Sequence, residues 1–218
     1  WNIESIGGYR PIKLRNYQDL MDAKGFSRPH ILDMLNVKYV LTRKKINNPN
    51  FIPLKDVSGI FRNINVLPKA WIVGNVKSVE TQRESLMETL LNGFDPSNTA
   101  IIYKYQGESL KGMASGQVDV ISRTENKINI MSQSETGGLL VLSEIYYKPG
   151  WRAYVNGEET PVYQTNHILR SIYVPSGEHQ IEFRYDDSSW KQTRIVSRVS
   201  FLAILFGFGF ILWKEKEN

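Results

Sequence analysis

Val118 to Glu125 reads VDVISRTE, Lys127 to Gln133 KINIMSQ, Gly138 to Tyr147 GLLVLSEIYY and Trp151 to Gly157 WRAYVNG. Thr160 to Asn166 (TPVYQTN), Ile168 to Pro175 (ILRSIYVP) and His179 to Asp187 (HQIEFRYDD) complete the series. These seven short runs are rich in β-branched and aromatic residues and are separated by turn residues such as Asn156-Gly157 and Pro175-Ser176-Gly177. That spacing predicts an antiparallel β-sandwich. In HQIEFRYDD the polar Gln180, Glu182, Arg184 and Asp186 alternate with Ile181, Phe183 and Tyr185, so one face is expected to be buried and the other wet. The seven runs share no motif at a period of 20 to 50 residues, which excludes propellers and solenoids.

Upstream the pattern is mixed. Pro11 opens a segment to Lys24 with Ile12, Leu14, Tyr17, Leu20 and Met21 at helical spacings, and a second short helix is expected from Pro29 to near Asn36. Val37 to Thr42, Ile60 to Ile64, Ala70 to Val76 and Thr99 to Tyr105 read as strands, with a polar loop over Arg43 to Asn50. Between them Thr81 to Asn92 reads as a helix that sets Leu86, Met87, Leu90 and Leu91 on one face and stops at Gly93.

Downstream, Val199 to Trp213 reads VSFLAILFGFGFILW without one charge, apolar on every face of a helix. Fifteen helical residues reach only about 22 Å, short of a hydrocarbon core of about 30 Å. Extension back to Ile195, with Arg198 snorkelling and Trp190 and Trp213 at the two interfaces, makes a membrane span feasible. Lys191, Arg194 and Arg198 before it and Lys214 and Lys216 after it nearly balance, so charge does not set its orientation.

The expected class is therefore α+β: a small N-terminal α+β module (residues 1–112), an antiparallel β-sandwich (113–189), one C-terminal transmembrane helix with its flank (190–213) and a short tail (214–218). The 218 residues suffice for a real core, and 41% hydrophobic content excludes wholly disordered and collagen-like classes. Without cysteine there is neither a disulfide framework nor a thiolate metal site. The chain opens on Trp1 rather than Met, which leads us to expect further sequence upstream. The net charge of +5 comes from residues 1–50, where Arg10, Lys13, Arg15, Lys24, Arg28, Lys38, Arg43, Lys44 and Lys45 outnumber four acids. No nucleic-acid recognition motif accompanies this basic strip, so nucleic acid is not expected as a partner.

Catalytic chemistry finds few footholds. His30, His167 and His179 stand far apart, although the last two could face one another across neighbouring strands; no metal site is expected. Glu158-Glu159 and Asp186-Asp187 sit beside turns, where acids are usually solvating. Phosphate loops, dinucleotide fingerprints and nucleophile elbows are missing, so no cofactor and no catalytic residue is assigned. Two sets of residues could touch a ligand. Tyr9, Arg10, Lys13 and Tyr17 combine cations with amphipathic rings, a mixture suited to a lipid phosphate or substrate at a membrane surface. Tyr147, Trp151, Tyr154 and Tyr163 offer flat rings for a glycan or protein surface; alternation along WRAYV turns Trp151 inward and leaves Tyr154 as the exposed candidate.

Several motifs occur together in an order that resembles the C-terminal portion of YfhO-like bacterial membrane proteins, which are grouped with the GT-C class of glycosyltransferases. They are Ser5-Ile6-Gly7-Gly8-Tyr9-Arg10-Pro11, Leu32-Asp33-Met34-Leu35-Asn36-Val37-Lys38-Tyr39-Val40, Phe61-Arg62-Asn63, Leu67-Pro68-Lys69-Ala70-Trp71, Lys148-Pro149-Gly150-Trp151, Arg170, Val174-Pro175-Ser176-Gly177 and Phe183-Arg184-Tyr185. The resemblance implies a cell-membrane location with residues 1–190 extracytoplasmic and the C-terminus cytoplasmic. It also implies an upstream transmembrane core of the same protein, and transfer of a sugar from a polyprenyl-phosphate donor to an envelope glycopolymer. Any catalytic carboxylate would lie upstream, making this fragment itself non-catalytic. The alternative is a non-enzymatic, membrane-anchored β-sandwich that binds envelope glycans or proteins. The partners expected are thus the lipid bilayer, the upstream core, and the polyprenyl-phosphate sugar and glycopolymer.

Overall fold

The computed structural model describes residues 4–7, 13–55, 57–107, 110, 112 and 114–216, excluding the side chains of 189, 208–212, 215 and 216. Its elements in chain order are α1 (Arg15–Asp22), α2 (Pro29–Met34), β1 (Tyr39–Leu41), β2 (Phe51–Pro53), β3 (Ile60–Asn63), β4 (Ala70–Val73) and β5 (Asn75–Val79). Next come α3 (Gln82–Thr89), β6 (Thr99–Tyr103), β7 (Gly116–Arg123), β8 (Lys127–Ser134), β9 (Gly138–Ile145) and β10 (Trp151–Val155). The chain continues through β11 (Glu158–Thr160), β12 (Tyr163–Thr165), β13 (Leu169–Val174), β14 (Gly177–Tyr185) and α4 (Ser188–Lys216). The chain is α+β.

Two sheets face one another. One has the order β11-β10-β14-β8-β7 and is wholly antiparallel; the other runs β4-β9-β13-β12-β6-β5, with β5 and β6 parallel. Alternation in β14 sends Ile181 and Phe183 inward, where they meet Ile128 and Ile130 of β8 and Leu140, Leu142, Ile172 and Val174 of the opposite sheet. The other side of the six-stranded sheet carries a second core of Trp71, Val73, Ala100, Ile102, Leu139 and Val141, closed by Leu20 of α1 and by Ile31 and Met34 of α2. A separate sheet, β1-β3-β2, stands outside these layers. Strands from before and after residue 112 share the six-stranded sheet, so the two modules read from the sequence are joined through it.

Three sequence readings need correction. Ala70 to Val76, expected as one strand, breaks at Gly74 into β4 and β5, which occupy opposite ends of the six-stranded order. Only one residue separates them, so the sheet curls until its two edges are joined by the chain. A Cβ at Gly74 would lie 2.3 Å from the Gly112 carbonyl oxygen and 2.5 Å from the Ala114 nitrogen, a contact only glycine allows. Second, TPVYQTN divides at Pro161: β11 pairs with β10 in one sheet and β12 with β13 in the other. Proline has no N–H for a ladder, which makes it a natural crossing point. Third, α3 starts where expected, with Thr81 and Glu84 forming a reciprocal capping box, but ends at Thr89 rather than near Asn92. Its inward face, however, is Ser85, Leu86, Thr89 and Leu90, whereas Met87 and Leu91 are exposed.

The C-terminal segment is helical, as expected, but longer. Its 29 residues run about 43 Å. Among the described residues, however, no helix is long and apolar enough to cross a membrane. The first turns of α4 carry Lys191, Gln192, Arg194 and Arg198, which dilute the apolar character of its described part.

Gly74→Ala is expected to cost 2 kcal/mol or more, about the upper range of core overpacking, because backbone rather than a mobile side chain is in the way. Gly93→Ala, which meets nothing within 4 Å, should leave the chemical-denaturation midpoint nearly unchanged.

Candidate functional site

At one end of the sandwich the buried Arg170 of β13 lays its guanidinium carbon 4.1 Å from the centroid of the Trp151 ring. Trp151 in turn meets Tyr185 edge-on at 5.7 Å, and a Cβ on the neighbouring Gly150 would overlap the Tyr185 ring. Glu144 reaches Lys69 and Arg123 at 2.9 Å and Arg170 at 3.9 Å, while Arg123 also pairs with Glu4. Burial lowers the Arg170 guanidinium to about 10; Glu144 opposes that shift and Arg123 adds to it. Nε and Nη1 of Arg170 have no hydrogen-bond partner. Trp151 is therefore half-buried against the sandwich core, in line with its inward reading. Lys69, Gly150, Trp151, Arg170 and Tyr185, scattered along the sequence, build one structural post at the point where β14 hands over to α4.

Tyr154, on the opposite side of β10, lies on the outer face of the five-stranded sheet. Arg184 stands 4.7 Å from its ring centroid, and the two line a shallow hollow of about 570 Å³ with Lys127, Glu182 and Met131. Ile121 joins them because a register shift between Val120 and Ser122 leaves it bulged and exposed.

A smaller cleft of about 220 Å³ lies between α1, the start of α3, the end of β9 and the β12–β13 turn. Packing of α1 and α3 against β12 brings the polar heads of Asn16, Gln82 and Gln164 together there. Gln82 and Gln164 exchange hydrogen bonds at 2.9 and 2.8 Å, and Asn16 donates to Gln82 Oε1 at 3.1 Å. Asn16 and Gln164 both donate to the His167 carbonyl, at 3.1 and 2.7 Å. The turn itself is unusual, since Asn166 and His167 both adopt positive φ, 47° and 65°. Asn166 holds it by accepting a hydrogen bond from Ile101 N–H at 2.9 Å through its side-chain oxygen. Non-glycine residues in this conformation are strained and concentrate at functional sites.

His167 is buried, and neither ring nitrogen has a hydrogen-bond partner. Burial pushes its pKa below the ordinary imidazole value, outweighing the Asp19 carboxylate and the Asn16 backbone, which favour the proton. Tyr17, Tyr146 and Tyr147 also line the cleft, and burial raises the Tyr17 and Tyr146 phenols, keeping them neutral. Lys148 and Arg15, the latter paired with Asp19 at 2.8 Å, complete its charged lining among the described residues.

The structure thus separates the sequence candidates. Tyr17 belongs to the cleft, with its hydroxyl donating to the Ile6 carbonyl. Lys13 is exposed and points its ammonium towards Met21 Sδ at 3.9 Å. Tyr9 and Arg10 lie outside the described residues, as does Pro11. His167 and His179 do not face one another: His167 lies in the turn of the six-stranded sheet and His179 in β14 of the other, bonded to Asn156 and Ser176. Among the described residues no three His, Asp or Glu side chains group as metal ligands. The acidic pairs are engaged, with Glu159 and Asp186 on Arg152 and Asp187 on Lys191. The amide cluster was missed from the sequence because Asn16, Gln82 and Gln164 belong to three distant segments and share no motif.

Glu144→Gln, which leaves the buried Arg170 without an anion, should cost about 3 kcal/mol in urea unfolding, whereas Glu4→Gln at an exposed pair should cost less than about 1. For His167 the lowered folded-state pKa means that the unfolded chain binds protons more readily. Stability is therefore complete above about pH 6.5 and falls as pH drops below it. His167→Asn, whose side chain tolerates positive φ, should flatten part of that slope; His30, shifted in the same direction by burial, retains the rest.

No curated protein and no solved structure matches the chain. Residues 101–197 do match the family described as Bacterial membrane protein YfhO, a stretch that runs from β6 through both sheets into the first turns of α4. Over that stretch, which contains the Gly150-Trp151, Arg170 and Tyr185 post, the chain is similar to YfhO-like bacterial membrane proteins.

Proposed function

We propose that this chain is the extracytoplasmic C-terminal part of a membrane-embedded cell-envelope glycosyltransferase of the GT-C class, anchored by α4. In this reading the upstream core transfers a sugar from a polyprenyl-phosphate donor. The part described above caps that core and shapes acceptor access without performing catalysis, and the C-terminus is cytoplasmic. This reading assigns Tyr9, Arg10, Lys13 and Tyr17 to contact with lipid phosphate or substrate.

The observation that carries the reading is the condition of α4. Every described side chain from 190 to 207 is exposed, including Ile195, Val196, Val199, Phe201, Leu202, Ile204, Leu205 and Phe206. Such a band has no face to hide against a protein core, and water penalises it by roughly 25 cal/mol for each Å² of apolar surface. Lipid removes that penalty, and the sequence continues apolar through Trp213. The family description as a membrane protein points the same way. Glu4 and Asp186 both contact the end of the five-stranded sheet from which α4 leaves, so incoming and outgoing chain lie together, as suits a module returned to a membrane. The second reading, a membrane-anchored glycan- or protein-binding module without enzymatic activity, draws on the open Tyr154 and Arg184 hollow.

In cell fractionation the chain should remain with membranes through a carbonate wash, and Leu202→Asp with Leu205→Asp should release it; recovery of the unaltered chain in the aqueous fraction overturns the anchoring. Membranes containing the full-length protein should move labelled sugar from a polyprenyl-phosphate donor onto an envelope acceptor. Absence of transfer with anchoring intact would favour the second reading.

A further inference from the structure

We propose that the cleft between α1 and the β12–β13 turn binds a single saccharide ring. This deepens the envelope reading above but rests on the cleft's own chemistry. Among the described residues its charged lining is Lys148 and Arg15, the latter already paired with Asp19, so it offers no unpaired carboxylate to a metal ion or a cationic ligand. The interlocked amides of Asn16, Gln82 and Gln164 give it a polar patch beside the apolar side chains of Leu14, Ile145 and Ile168, a mixture that suits an amphipathic ring. Its volume of about 220 Å³ admits one ring rather than a polymer segment.

Hydroxyl groups fit what remains. A primary amide has two N–H donors and a carbonyl with two lone pairs, and the relay fixes each head while using only part of that capacity. Adjacent hydroxyls of a sugar both donate and accept, so a pair of them can meet an amide edge at two points. The His167 ring lies buried beneath this relay, with its backbone carbonyl accepting from Asn16 and Gln164. Tyr17, Tyr146 and Tyr147 provide apolar ring faces for the C–H side of the sugar, and Tyr147 is exposed at 39% and free to cover it. The strained turn at Asn166 and His167 holds the floor of the cleft in place without a ligand, so little ordering accompanies binding.

Saturation-transfer difference NMR on the detergent-solubilised chain, with methyl glycosides of glucose, galactose, mannose and N-acetylglucosamine, should show ring-proton saturation for at least one sugar. Tyr147→Ala and Gln82→Ala should each weaken that sugar about tenfold while the thermal midpoint stays within a few degrees. Leu41→Ala, exposed on the separate three-stranded sheet, should leave it unchanged. Silence for all four sugars, or a signal that survives Tyr147→Ala and disappears with Tyr154→Ala, overturns the proposal. Either result leaves the membrane fractionation and transfer measurements untouched, so failure here is separable from failure of the envelope reading.

Discussion

A guanidinium with 2% of its surface exposed, resting on an indole face and served by one carboxylate at 3.9 Å, is the constraint around which the sandwich is built. Removing such a charge from water costs several kcal/mol, and an ion pair at that distance repays only part. The remainder comes from arrangement. Trp151 offers its electron-rich face, Tyr185 supports Trp151 from the side, and Gly150 keeps the space that the Tyr185 ring occupies. Because Arg170 lies on β13, Glu144 on β9, Trp151 on β10 and Tyr185 on β14, the cluster binds both sheets at one end and fixes their relative placement.

That placement sets the rest of the molecule. With the sheets fixed, the six-stranded one is free on its other side to receive α1, α2 and α3, and its curl brings β5 and β6 beneath α3. Gln82 at the start of α3 and Asn16 on α1 then meet Gln164 on β12, and the cleft forms from three segments. The amides satisfy one another in the absence of a ligand, as buried polar groups must. His167 is the exception. Its orphaned nitrogens and positive φ mark a spot where local stability has been given up, the pattern expected of a binding floor rather than of a core.

The helix at the end of the chain differs from the others in its surroundings. Its described side chains are exposed all round, in contrast to α1 and α2, which each bury apolar residues against the sheet. Arg194 and Arg198 lie on the side of the folded part and Lys214 beyond the apolar stretch, so cations flank that stretch at both ends.

Local pattern alone determined the α+β class, most of the strand series from β7 to β14, the presence of α3 and the inward turn of Trp151, because strand alternation and helical periodicity act over a few residues. The YfhO-like character was legible in the same way, from Gly150-Trp151, Arg170 and Phe183-Arg184-Tyr185. Only the tertiary structure decided that Ala70 to Val76 bends at Gly74 to close a sheet, since the Gly112 and Ala114 backbone that forbids a Cβ there lies almost forty residues away. It decided, too, that Pro161 moves the chain between sheets and that Met87 and Leu91 face water. The amide cleft depended on it entirely: hydrogen bonds between residues 16, 82 and 164 leave no periodic trace in a sequence, because their partners are chosen by packing rather than by spacing.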